Sequence, residues 1–439
     1  MNEEGTGLPT EIADRLTRPF ARFLKIKVAT GVMLFVATVV ALIVSNSMWA
    51  ASFSAFWEMP IGLHFGSLDF TRSLKLWINE GLMTLFFFVV ALELKRSLTL
   101  GELRILRVAA LSFAGALGGM LIPAILYVAL MNSQLGTHSW GTVVATDAAF
   151  VIGCLALLGS RIPPSLRLFL LSLAIFDDVG AILVVALGYG DTLNWAALGL
   201  AALVLIATLG ATLIGIRSAV VYFLLASVIW LCFDASGINP TFAGVVLGLM
   251  TSTHGWVSDD RLRAILERVL AYPRGDHWSG DTVDRRDLRR AGVAVAEALS
   301  PVERLEMALH PWVGFLIMPL FAFANAGVTI TGTDIGQPVV VAIFVGLVFG
   351  KPIGVVASSW LAVRLGFATK PSDLNWSLLA GGGLLAGIGF TMSLFIAGLA
   401  YSPLMLDAAK VGILAASVAS AAAGLLMLFV LTSKSPDPG

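Results

Sequence analysis

The chain has 439 residues, of which 58% are hydrophobic and only 13% charged, about half the charged share of an ordinary soluble domain. So few charges cannot cover that much apolar surface in water, which excludes a soluble enzyme, a disordered chain and a nucleic-acid binder. Lys plus Arg equals Asp plus Glu at 28 each, so no net charge steers the chain toward an acidic or basic partner, and no nucleic-acid partner is expected.

Residues 1–27 carry Glu3, Glu4, Glu11, Asp14, Arg15, Arg18, Arg22, Lys25 and Lys27. They lack the early apolar core and small-residue cleavage site of a signal peptide and read as a cytoplasmic tail. A helix needs about 20 apolar residues to cross a bilayer. The stretch Val28–Trp57 is free of charge and holds a first span. Further spans are expected at 74–98, from Val108 onward with Pro123 inside, and near 140–159, 165–189, 193–215, 218–233, 237–252, 305–329, 338–363, 377–400 and 409–432. That gives twelve spans in one all-α transmembrane region over 28–432, with a short tail over 433–439. With both termini cytoplasmic, every Lys and Arg except Arg72, Lys75, Lys410 and Lys351 falls on the inner side, as the positive-inside rule requires. An odd number of spans would scramble that asymmetry. Residues 58–73 alternate weakly around Gly66-Ser67 and read as an external β-hairpin. The long polar stretch 254–304 is a cytoplasmic charged loop. Within it Leu262, Ile265, Leu266, Val269 and Leu270 recur at helical spacing, leaving open a solvated loop or an amphipathic surface helix. Cys154 and Cys232 lie in apolar runs, so they read as buried hydrophobes; no disulfide framework, resident metal or cofactor is expected.

The chemistry lies with the charges inside the spans. Asp147, Asp177, Asp178 and Lys351 occupy the middle or inner half of apolar runs. Each costs roughly 2.5–3.5 kcal/mol at the bilayer centre, about 10 kcal/mol for the four before pairing. A structural ion pair accounts for only one carboxylate per lysine, so a water-filled ion path is the better reading. Gly141 and Gly153 flank Ala145-Thr-Asp-Ala148, while Gly381-Gly-Gly383 and Gly387-Ile-Gly-Phe-Thr391 interrupt the eleventh span. Glycine weakens the helix ladder, and an unwound span offers carbonyls and half-helix ends to an ion. If spans 3–5 and 10–12 form two three-helix repeats, the repeats are inverted, and their unwound middle spans, the fourth and eleventh, are placed alike. A carboxylate oxygen is a hard ligand that holds either a cation or a proton.

Several long motifs in order give the chain a resemblance to a known family. They are Trp77-Ile-Asn-Glu-Gly-Leu-Met83, Leu92-Glu-Leu-Lys-Arg96, Ala145-Thr-Asp-Ala-Ala-Phe150, Leu157-Leu-Gly-Ser-Arg161, Ala174-Ile-Phe-Asp-Asp178, Leu309-His-Pro-Trp312, Pro319-Leu-Phe-Ala-Phe-Ala-Asn-Ala-Gly327, Gly350-Lys-Pro352 and Gly387-Ile-Gly-Phe-Thr-Met-Ser393. From about Val28 to Leu431 the chain resembles the NhaA-type sodium/proton antiporters. The resemblance implies a prokaryotic inner-membrane transporter, not an enzyme, that exchanges cytoplasmic Na+ or Li+ for external H+ in sodium and pH homeostasis. It also implies a homodimer joined partly by the hairpin. By motif position Asp177 and Asp178 are the ion-binding pair, Thr146 and Asp147 sit at the unwound crossing, and Lys351 faces the carboxylates. Glu93, Arg96, Glu306 and His310 match the cytoplasmic entrance and pH-response region. The chain departs from the family pattern at Asn239-Pro240, Met307 and Ser97, and in the length of 254–304, which bears on pH response rather than transport. A sodium-coupled solute symporter with similar broken helices is the alternative. An intramembrane aspartyl protease fits less well, since its two aspartates sit on facing helices. A polyprenyl-transferring enzyme needs spaced Asp motifs that Asp177-Asp178 lacks.

Overall fold

A computed structural model of the chain describes residues 27–65, 68–99, 106–131, 136–190, 192–216, 218–271, 283–329 and 336–433. Apart from Lys27 and Ser433, the tails expected over 1–27 and 433–439 lie outside the described residues. Apart from one hairpin, the described elements are helices, because a chain in lipid must satisfy its backbone N–H and C=O groups within itself.

Helices α1 (Lys27–Ser45) and α2 (Ala50–Trp57) hold the first apolar run and bend by 118° between them. Asn46 stabilises the break. Its side-chain amide donates to the Leu42 carbonyl at 2.9 Å and the Val328 carbonyl at 2.8 Å, satisfying acceptors that a helix end leaves open. Strands β1 (Pro60–Phe65) and β2 (Leu68–Ser73) pair antiparallel with Phe65 opposite Leu68, so two residues connect them, as the Gly66-Ser67 centre predicts. Then come α3 (Leu74–Thr99), α4 (Leu106–Met131), a 3₁₀ turn (Thr137–Val143), α5 (Ala148–Leu158), α6 (Pro164–Gly188), α7 (Trp195–Ile214), α8 (Ala219–Ser236) and α9 (Phe242–Met250). After these lie α10 (Asp259–Leu270), α11 (Val283–Ala298), α12 (Pro301–Asn325), α13 (Pro338–Arg364), α14 (Trp376–Ala386), α15 (Phe390–Ala400) and α16 (Pro403–Ser433).

Eight described helices are long and apolar enough to cross a membrane, and ten spans result if the bent pairs α1/α2 and α14/α15 each count as one. The expectation of twelve differs at 218–233 and 237–252. There α8 is a shorter apolar helix, and α9 has only nine residues, about 14 Å at 1.5 Å per residue against a core of about 30 Å. The stretch 254–304 is also not simply a loop. Residues 259–270 and 283–298 fold as α10 and α11, which pack on each other. Ile265 is half-buried, while Leu266 and Leu270 remain exposed.

The helices gather into two compact units: residues up to Leu82 with Arg107–Tyr189 and Pro311 onward, and Met83–Leu106 with Gly190–His310. In the first, α1 packs on α5 and on the end of α12, while α16 packs on α13 and α14. Close approach of α4 and α13 depends on Gly118 and Gly354: a Cβ on Gly354 would lie 2.1 Å from the Gly118 carbonyl oxygen. In the second unit, α9 packs on the part of α3 that starts at Met83, α7 on α8, and α10 on α11.

Candidate ion-binding site

Besides the α1/α2 bend, two further helix breaks lie in the first unit, and these two meet. Between the 3₁₀ turn and α5 the chain is non-helical over Ala145-Thr146-Asp147. Between α14 and α15 it breaks at Gly387-Ile388-Gly389 with a bend of 47°. The expectation that Gly381-Gly-Gly383 unwinds the eleventh span is corrected. Those glycines are helical within α14 and provide close packing, with Gly381 against Leu428 and Gly383 against Pro352. Only the Gly387–Gly389 pair makes the break.

Each break satisfies the other. The Asp147 N–H donates to the Ile388 carbonyl at 2.7 Å, and the Thr146 hydroxyl lies 2.8 Å from the Ala386 carbonyl. Asp147 stands at the N-cap of α5 in an extended conformation, where its Oδ1 accepts from the Phe150 N–H at 3.1 Å. Its Oδ2 accepts from both the N–H and the hydroxyl of Thr391, at 3.1 and 2.5 Å. One wholly buried carboxylate thus caps one half-helix and holds the first turn of another. Thr391 was not singled out from the sequence, although it follows directly on the Gly-x-Gly break. A hydroxyl at the start of a half-helix was the available signal.

The second carboxylate is paired. Lys351 and Asp177 are both fully buried, and Lys351 Nζ lies 2.9 Å from Asp177 Oδ2. The same ammonium donates to the Val144 carbonyl at the edge of the first break. Local sequence places this lysine. Pro352 removes a backbone donor, and the preceding turn, Gly346–Gly350, widens to a π turn just before Lys351; such widening absorbs a lost ladder bond and is common at functional positions. Asp177 Oδ2 also accepts from the Thr146 hydroxyl at 2.6 Å. Asp177 Oδ1 accepts no hydrogen bond among the described residues, which leaves a buried hard oxygen with capacity for a cation or a proton. Asp178 follows on α6 and is buried as well. Successive helical residues point about 100° apart, so the neighbouring carboxylates present different faces. Asp147, Thr146, Asp177, Asp178 and Lys351 therefore all lie buried in the first unit, and Thr146, Asp147, Asp177 and Lys351 are joined by hydrogen bonds and an ion pair around the crossing.

The other four candidate residues belong to the second unit. Arg96 Nε pairs with Glu306 Oε2 at 2.9 Å. Glu93, His310 and Glu303 act electrostatically on the same carboxylate. Glu93, Arg96, Glu306 and His310 thus form one cluster.

Helices that break inside the membrane and meet around buried carboxylates and a buried lysine define a multi-pass membrane protein of the ion-coupled transporter class. The family described as Na+/H+ antiporter 1 matches residues 21–428, and the chain belongs to it. The chain is 59% identical to Na(+)/H(+) antiporter NhaA of Rhizobium meliloti (strain 1021), with 99% of each chain covered. It is 58% identical to Na(+)/H(+) antiporter NhaA 3 of Acidiphilium cryptum (strain JF-5), covering 98% of this chain and 94% of that one. It is 51% identical to Na(+)/H(+) antiporter NhaA 2 of Vibrio vulnificus (strain CMCP6), covering 96% and 95%.

Proposed function

We propose that the chain is a secondary active antiporter exchanging cytoplasmic Na+ or Li+ for external H+. The observation that carries this reading is the wholly buried Lys351–Asp177 pair beside Asp178, at the meeting of two broken helices. Asp178 and Asp177 bind the ion. In its absence Lys351 neutralises Asp177; an arriving cation takes over that role and favours loss of a proton from the lysine. Thr146 adds a second response. Its single hydroxyl proton serves either Asp177 or the Ala386 carbonyl. A charged Asp177 draws that proton. A protonated Asp177 donates to Thr146 instead, and Thr146 then donates to Ala386.

The finer topology belongs to the same proposal. Twelve spans result if α8 and α9 each cross, with both termini cytoplasmic in a prokaryotic inner membrane. The helices α4–α6 and α13–α16 then form the two inverted repeats, each with a broken middle helix. The hairpin is external and contributes to a homodimer. Two protons per Na+ would make turnover move one charge, coupled to the membrane potential at about 2.3 kcal/mol per 100 mV, and an inside-negative potential would then drive Na+ out.

The test is cation-linked proton movement in everted vesicles and in proteoliposomes of the purified protein. Addition of Na+ or Li+ should release or take up protons without any organic solute. Asp178→Asn should abolish this while the protein still reaches the membrane, because an amide cannot take up the exchanged proton. Exchange near the wild-type rate in the purified variant would overturn the site assignment.

A further inference from the structure

In the second unit a cleft of about 440 Å³ opens between α10 and α11, and none of the carboxylates of the crossing lines it. Four guanidinium groups line it, those of Arg261, Arg286, Arg289 and Arg290, against an apolar wall that includes Trp256 and Ile265. Arg290 pairs with Asp287 at 3.1 Å. No ion pair or hydrogen bond engages the side chains of Arg261, Arg286 or Arg289 among the described residues. Three like charges around one cleft repel, and an anion placed among them relieves that more fully than solvent screening does.

The setting narrows the anion. The segment is tied at one end to the short apolar helix α9 and at the other to the long apolar helix α12. It leaves α9 at Met250, the Val302 N–H at the start of α12 donates to the Ser252 carbonyl, and the Trp256 N–H donates to the Glu297 carbonyl. One end of the cleft, at Trp256, Val257 and Ala294, therefore lies six or seven residues from the helices α9 and α12. Trp256 is 58% exposed and Leu270 82% exposed, the kind of aromatic and aliphatic surface that rests at a headgroup boundary. An anionic headgroup flanked by apolar chain matches arginines flanked by apolar wall. A free inorganic anion would leave the wall unused.

We propose that this cleft binds an anionic phospholipid, its phosphate held by Arg261, Arg286 and Arg289 and the first part of its acyl chains lying along Ile265 and Trp256. Guanidinium groups suit the task because they grip phosphate oxygens in pairs and shed water readily. The proposal stands apart from the transport chemistry and needs only that the chain resides in a membrane.

The experiment uses the full chain in detergent, delipidated and titrated with phosphatidylglycerol or with phosphatidylcholine, with retained lipid counted by native mass spectrometry. Phosphatidylglycerol should be retained in preference. The variant R286Q/R289Q should bind it about 30-fold more weakly, equivalent to about 2 kcal/mol at 1.4 kcal/mol per decade. The variant R263Q/R268Q, on α10 but outside the cleft, should bind as the unaltered chain does. Circular dichroism and gel filtration confirm that each variant is folded. Should R286Q/R289Q misfold, Arg261→Gln alone is read by the same count and should bind several-fold more weakly. Equal retention of the two lipids overturns the proposal. So does undiminished binding in the cleft variants, or loss of the same size in R263Q/R268Q. A competition arm separates the sources of phosphate: inorganic phosphate at millimolar concentration should leave the lipid count unchanged, and displacement of the lipid by it would reduce the cleft to a simple anion site.

Discussion

Replacing Lys351 by alanine tests the centre of the site. The side chain is wholly buried and makes two contacts, a 2.9 Å pair with Asp177 and a hydrogen bond to the Val144 carbonyl. Removing one partner of a buried pair costs about 3–5 kcal/mol, because the other charge stays desolvated. The stranded carbonyl adds about 1–3 kcal/mol. Lys351→Ala should therefore destabilise the protein in detergent by several kcal/mol as well as impair exchange. Asp177→Asn placed in that background removes the stranded charge and should restore about 2 kcal/mol or more. The Val144 loss and the cavity are common to both lysine variants, so the four-protein cycle cancels them and reads the pair alone. The measurement is reversible denaturation in detergent for wild type, each single variant and the double. A coupling below about 0.5 kcal/mol, the usual scatter of independent sites, would refute the reasoning: the two side chains would then not depend on each other.

Asp147→Ala should lower stability by about 2–4 kcal/mol, combining a lost N-cap with the unsatisfied donors of Thr391, whereas Asp147→Asn should lose less; equal melting of the alanine variant and wild type would remove Asp147 from the crossing. His310→Ala should leave a clear pH dependence of the apparent Na+ affinity, since at the proposed site H+ and Na+ compete for the same carboxylate oxygens. Lowering the pH should weaken Na+ binding, by roughly tenfold per unit where one proton competes, and half-saturation in proteoliposomes at several pH values reads this. A His310→Ala protein whose Na+ affinity no longer varies with pH would show that sensing is remote from the carboxylates.

What was legible in the sequence was what solvent forces on a chain. Charge-free runs mark the long helices, and Asp147, Asp177, Asp178 and Lys351 stand out because an ionisable group in lipid is expensive. The hairpin was legible from Gly66-Ser67. Less legible was anything set by tertiary contact. The α9 segment is apolar enough to read as a span but is cut short at Asn239-Pro240, where Asn239 Oδ1 accepts from the N–H and hydroxyl of Thr241 and turns the chain. The glycine triplet at 381–383 and the pair at 387–389 look alike in composition, yet one packs a helix and the other breaks it. Only the neighbours decide: Leu428 and Pro352 lie against the first, while the second faces the Asp147 crossing. The α10–α11 pairing was invisible for a similar reason. The spacing of Leu262 to Leu270 allowed a helix, but a partner was needed to bury part of it.

The two partners of Asp177 share a property that links the charge of Asp177, and with it the proposed ion occupancy, to the shape of the breaks. Lys351 holds Asp177 and also the Val144 carbonyl; Thr146 holds Asp177 and can also hold the Ala386 carbonyl. Val144 borders one break and Ala386 the other. Any event at Asp177, whether a proton, a cation or neither, therefore changes how strongly two backbone carbonyls at the crossing are held. A cation that displaces the ammonium frees or retains Val144 according to where Lys351 turns, and protonation of Asp177 hands the Thr146 proton to Ala386. The Asp147–Thr391 and Asp147–Ile388 bonds involve none of these groups and stay as the fixed part of the crossing. An element with one fixed set of contacts and one set that follows the charge of a single carboxylate has what a two-state gate requires, namely a ligand that distinguishes the two arrangements by its contacts.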